Sequence, residues 1–131
     1  MASPPPSEAV MTKQDRVLCV LYLAVAAGAL VATWSQNIRF FLRDGDGGLW
    51  GFIEACYANP AAASITNDVI FVLLAAWILM WVESRRLKIP HLWAYYLLSL
   101  GIAISVTFPV FLYARQRRLA VLRATAPEPA A

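Results

Sequence analysis

Apolar residues gather in three runs separated by short polar segments. The first lies between Arg16 and Arg39, with its core at residues 17–34. The second contains the uncharged stretch 69–82, and the third covers residues 92–114. A bilayer core about 30 Å thick needs about 20 helical residues to cross. The runs therefore predict spanning helices near residues 17–36, 61–83 and 91–114. Between the first two, Leu49, Trp50, Phe52, Ile53, Cys56 and Tyr57 recur at helical spacing behind turn-forming residues 44–48. That pattern predicts a short amphipathic helix near 49–57, lying in the membrane interface or folded over the bundle. Trp50 and Tyr57 suit an aromatic belt. The expected fold is all-α: an integral membrane bundle of three transmembrane helices plus a short interfacial amphipathic helix.

The ends are different in kind. Residues 1–13 are polar and contain Pro4, Pro5 and Pro6, which reads as a disordered tail. Residues 14–118 form one helical membrane domain, and residues 119–131 read as a flexible tail. A cleaved signal peptide competes with the first span, but its apolar region is normally about 7–15 residues, shorter than this run. Asn59-Pro60 is a helix start, because Asn caps well and Pro suits the first helical position. Ser64 is the alternative cap. Pro109 should kink the third helix near its exit by removing a backbone bond. Trp77 and Trp81, one turn apart, read as an anchoring belt, and Trp93, Tyr95 and Tyr96 mark the start of the third run.

Composition agrees with this pattern. Of 131 residues, 60% are hydrophobic and 15% charged, against roughly half and a quarter in soluble domains. The formal net charge is +3. The basic residues flank the apolar runs, so Arg85, Arg86, Lys88, Arg115, Arg117 and Arg118 are expected headgroup anchors, and nucleic acid is not an expected partner. Cys19 and Cys56 lie at opposite ends of the first run and its connection, too far apart for a disulfide. With His91 the sole histidine, no metal site or cofactor is expected.

Asp68 is the main candidate for chemistry. The fourteen uncharged residues between it and Glu83 rise only about 21 Å, short of the hydrocarbon core. A helix that spans here carries the acid into the membrane or to its edge, where ionisable groups are costly and often functional. Either Asp68 faces the bundle interior, with Ser64, Asn67, Ser105 and Thr107 as a candidate polar site, or it sits in a helix first turn begun at Ser64, where the dipole favours an anion. The reading adopted is that it faces inward. Asp68 and Glu83 are about 22 Å apart along one helix, which excludes a paired-carboxylate mechanism. Glu83 is expected to pair with Arg85, Arg86 or Lys88 in the loop.

Small residues at four-residue spacing, Ala24, Gly28 and Ala32 in the first run and Gly101 and Ser105 in the third, mark helix-packing faces, expected to meet first within the chain. An odd number of spans puts the termini on opposite faces. Five basic residues then fall on one side and six on the other, so the positive-inside rule does not orient the chain.

From Asn59 onward the spacing of Asn59-Pro60, Ser64, Asp68, Trp77, Glu83-x-Arg85-Arg86, Trp93 and Pro109-x-Phe111-Leu112-x-x-Arg115 resembles a family of small bacterial integral membrane proteins classified as a domain of unknown function. The resemblance covers the last two spans and the preceding connection. It implies a compact helical membrane protein and no established activity. Three roles are open, in this order: a structural or accessory membrane subunit, a transporter or lipophilic-ligand-binding bundle using Asp68, and a membrane enzyme acting on a lipid-soluble substrate. An enzyme needs convergent polar groups, and the chain offers few. Membrane lipids, a second copy of the chain or another membrane protein are the partners to expect.

Overall fold

Five helices make up residues 11–45 and 47–127, the part of the chain that the structure, a computed structural model, describes. They are α1 (Lys13–Phe41), α2 (Gly48–Cys56), α3 (Pro60–Leu87), α4 (Leu92–Gly101) and α5 (Ile104–Thr125). The tails expected at residues 1–10 and 128–131 lie outside the described residues. Residues 119–125, expected as flexible tail, instead continue α5.

Local chemistry sets the helix starts. Thr12 and Asp15 form a reciprocal capping box at α1: the Asp15 N–H donates to Thr12 Oγ1 at 3.2 Å, and the Thr12 N–H donates to Asp15 Oδ2 at 2.9 Å. Asn59 caps α3 by accepting from the Ala62 N–H at 2.9 Å, with Pro60 in the first turn. Ser64 is therefore not the cap, and Asp68 lies more than two turns into the helix. α2 begins at Gly47, whose φ of 73° is left-handed; a Cβ there would meet the Gly51 backbone at 3.1 Å. Phe52 of α2 packs on Phe40 and Phe41 at the end of α1, with ring centroids 5.3 and 5.5 Å apart.

The third apolar run is not one helix. α4 ends at Gly101, the chain turns at Ile102 and Ala103, and α5 runs back. Tyr95 and Phe111 meet edge to face with ring centroids 5.3 Å apart. Sixteen residues along a continuous helix would separate them by about 24 Å. Gly101 has low helix propensity, and Pro109 in the second turn of α5 weakens the turns before it. The chain therefore breaks at Gly101 and not at the expected kink. The freed Ile102 carbonyl accepts a hydrogen bond from Trp34 Nε1 of α1 at 3.1 Å.

α5 is the hub of the bundle. α1 packs antiparallel along it, from the Asp15–Arg123 pair at one end to Trp34–Ile102 at the other. α3 runs parallel to α5, joined by Glu83–Arg115 and by Arg118 Nε donating to the Leu87 carbonyl at 2.8 Å. The core lies among α3, α4 and α5: Met80, Leu87, Ile89 and Phe111 are buried, with Trp77, Tyr95 and Phe108 packed around them. Trp77 belongs to this core and not to an outer belt. Its Nε1 donates to Ser99 Oγ at 2.8 Å, and its carbonyl accepts from Tyr96 OH at 3.0 Å. Trp81 is exposed, with the Arg85 guanidinium 4.8 Å above its ring.

Two helices, α1 and α3, are long and apolar enough to cross a membrane. The expectation of three is corrected, because the third run divides between α4, which has 10 residues, and the first part of α5. The fold-back also relocates the ends of the chain. The start of α1, the end of α3, the start of α4 and the end of α5 lie together. The described termini are thus at the same end, and not at opposite ends as an odd number of crossings would require.

Candidate functional site

The joined end is densely basic. Nine of the eleven Lys and Arg residues belong to it: Lys13, Arg16, Arg85, Arg86, Lys88, Arg115, Arg117, Arg118 and Arg123. Two carboxylates are embedded among them. Asp15 is 1% exposed and accepts from Arg123 Nη2 at 2.6 Å, from Gln116 Nε2 at 2.6 Å and from Thr12. Glu83 is 6% exposed and is held between Arg115 of α5 and Arg86, one turn away at 3.1 Å. The expected pairing with Arg86 is present, whereas Arg115 comes from a helix 32 positions along the chain. Both carboxylates act as ties between helices: each fixes α5 against a helix distant in sequence. Ser84 Oγ, buried nearby, has no hydrogen-bond partner among the described residues.

Of the other anchors expected to meet headgroups, Arg85 and Lys88 are exposed. Arg117 is exposed and donates to Tyr113 OH at 3.2 Å. Arg117, Arg118 and His91 line one end of a cavity of about 840 Å³ between α4 and α5.

Asp68 is exposed and does not face the bundle interior, which corrects the expectation drawn from helix length. It borders a cavity of about 340 Å³ shared with Val25 of α1 and Ile104, Ser105 and Pro109 of α5. Among the described residues it makes no hydrogen bond or ion pair. The candidate polar site is thus only partly assembled. Ser105 joins Asp68 at this groove. Asn67 turns to α2, accepting from Tyr57 OH at 3.1 Å. Ser64 is exposed, and Thr107 is buried but is not part of the groove lining.

The small-residue faces are not used inside the chain. Ala24, Gly28, Ala32, Gly101 and Ser105 are all exposed, and a Cβ added at Gly28 or Gly101 would meet nothing within 4 Å. α1 instead turns Asp15, Cys19, Tyr22, Ala26, Ala29 and Thr33 inward; all six are buried or half-buried. Their alternating spacing of four and three is that of a packed helix seam. That seam and the Thr12-x-x-Asp15 capping signal were both present in the sequence, and together they could have identified the face and its acid.

Residues 21–117 match the family model described as Protein of unknown function DUF2834. No curated protein and no solved structure matches the chain.

Proposed function

Starting from a chain that belongs to the family Protein of unknown function DUF2834, we propose that it is a multi-pass protein of the cell membrane that serves as a structural or accessory subunit. α1 and α3 cross the bilayer. The α4–α5 hairpin enters from the basic end, reaches about halfway with the ten residues of α4, and returns. A turn at that depth is tolerable only where its backbone is satisfied by protein, and the Trp34 bond to the Ile102 carbonyl supports this placement. α2 lies in the opposite interface, with Leu49 and Trp50 exposed to lipid. With nine basic residues at one end and Arg39 and Arg43 at the other, the positive-inside rule puts the basic end in the cytoplasm.

The observation that carries the accessory role is the apolar surface left uncovered on the two crossing helices. Only 11% of the most apolar stretch of either is buried, and Val31, Phe71 and Ile78 are each more than 60% exposed. Lipid covers part of this surface, and a second copy or another membrane protein covers the rest. The open face at Gly28 provides a clean test. Because a side chain there meets nothing in the chain, Gly28→Leu should leave helicity and thermal stability unchanged while abolishing assembly in mild detergent. Assembly equal to wild type would refute a subunit contact on this face. Wild-type protein that purifies alone as a monomer would refute the accessory role itself.

A second reading is favoured by one observation: Asp68 and Ser105 share a groove with the turn of a broken helix. Helix breaks beside polar groups build ligand sites in membrane bundles. Under this reading Asp68 is kept for binding and not for folding. Asp68→Leu should then fold at least as well as wild type, gaining up to about 3 kcal/mol in membrane insertion if the position is central and less toward the interface. A loss of stability in Asp68→Leu that Asp68→Asn restores would instead assign the residue a structural hydrogen bond.

A further inference from the structure

We propose that the groove between α4 and α5 seats an acyl chain of an anionic phospholipid, whose phosphate is held by Arg117 and Arg118 at the basic end. This rests on the membrane placement above. The groove measures about 840 Å³, within the ~300–1,000 Å³ typical of ligand sites. Ala94 and Leu98 of α4 and Val110 and Ala114 of α5 line it with apolar surface. Along α5 its lining runs from Val110 to Arg117, about 10 Å, and continues past the two arginines to Val121, a slot for the upper part of an extended chain. Toward the basic end Arg117 and Arg118 make the lining cationic, beside His91.

Charge selects the occupant. The described carboxylates at this end are already engaged, Asp15 by Arg123 and Glu83 by Arg115 and Arg86. Arg118 uses only its Nε, on the Leu87 carbonyl, and Arg117 uses one terminal nitrogen, on the Tyr113 hydroxyl. Their other N–H groups have no acceptor among the described residues and are free for phosphate oxygens. Apolar walls alone would accept any acyl chain, and cations alone any anion. The two in series fit a molecule with an acyl tail and a phosphate without a compensating cation. Basic pockets between membrane helices on the cytoplasmic side take anionic headgroups in this way.

The full-length protein in mild detergent should be titrated with dioleoyl phosphatidylglycerol, dioleoyl phosphatidylcholine or oleate, and bound ligand counted by native mass spectrometry. Each basic side chain near a headgroup is worth roughly fivefold, so phosphatidylglycerol should bind about tenfold or more tighter than phosphatidylcholine. Arg117→Gln combined with Arg118→Gln should reduce that preference to within about twofold. Ala114→Trp should fill the slot and weaken both lipids, and Ala94→Leu serves the same purpose if the larger residue prevents folding. Arg43→Gln, at the opposite end of the molecule, should bind as wild type. Equal binding of the two phospholipids, a preference that survives the double substitution, or full binding to the filled groove would overturn the proposal. Oleate bound as tightly as phosphatidylglycerol would assign the groove to a single-chain acid instead. Failure of the membrane placement would look different: protein that stays dispersed and free of lipid after detergent removal.

Discussion

Reporter domains fused at the two ends of the chain will both read the cytoplasmic side, and one inserted at Gly45 will read the other side. Fusion reporters of opposite compartment preference give near all-or-none signals, so the expected contrast is large. The physical basis is the fold-back of the third apolar run. Asp15 near the start of α1 pairs with Arg123 near the end of α5, across 108 positions, and an ion pair at 2.6 Å cannot form across a bilayer. The same geometry gathers the charges: with the hairpin folded back, Arg115, Arg117, Arg118 and Arg123 join Lys13, Arg16, Arg85, Arg86 and Lys88 at one end. End reporters that disagree would show that the third run crosses, and would remove the re-entrant hairpin with it.

Phe111→Ala is expected to cost about 3–5 kcal/mol, the largest loss for any single truncation in the bundle. Phe111 is fully buried, meets Tyr95 edge to face and packs in one cluster with Met80 and Leu87. It therefore holds α5 against both α3 and α4. In a membrane the penalty arises less from exposure to water than from the void itself, whose lining atoms have no neighbour to attract them. Phe71→Ala is the matched control. Phe71 is 71% exposed on α3, where losing the ring leaves no void inside the chain, so the expected change is about 0.5 kcal/mol or less. The measurement is unfolding in mixed micelles followed by tryptophan fluorescence. Equal losses for the two variants would mean that the α3–α4–α5 cluster is not the stabilising core.

Together these outcomes define what holds the molecule together. The cluster around Met80 and Phe111 lies among three helices, and α1 is joined to it through α5. Its attachments are polar at both ends, Asp15 with Arg123 and Gln116 at one and Trp34 with Ile102 at the other. Small residues between them allow close approach: Cys19 and Ala26 are buried. Such a seam associates by close van der Waals packing along α1, and the polar ties at its two ends fix its register on α5.

Much of the secondary structure was determined by the sequence alone, because its causes are local. Asn59-Pro60 started α3, the spacing from Leu49 to Tyr57 marked α2 to within a residue, and apolar length identified α1 and α3. The path of the third run was decided only by tertiary structure. A window of 23 apolar residues has the same hydropathy whether it crosses a membrane or doubles back, and the Gly101 and Pro109 signals favour a break without fixing its angle. The same limit applied to the charged residues. Asp15 and Glu83 take partners from α5, 108 and 32 positions away, which no local spacing reports. Asp68 was recognisable as a costly residue from helix length alone. Which way it faces depends on how α3 rotates against α5, and packing around Met80 and Phe111 sets that rotation. Local bonding determines where helices begin and end; long-range contacts determine which of their faces meet, and so which residues remain available for function.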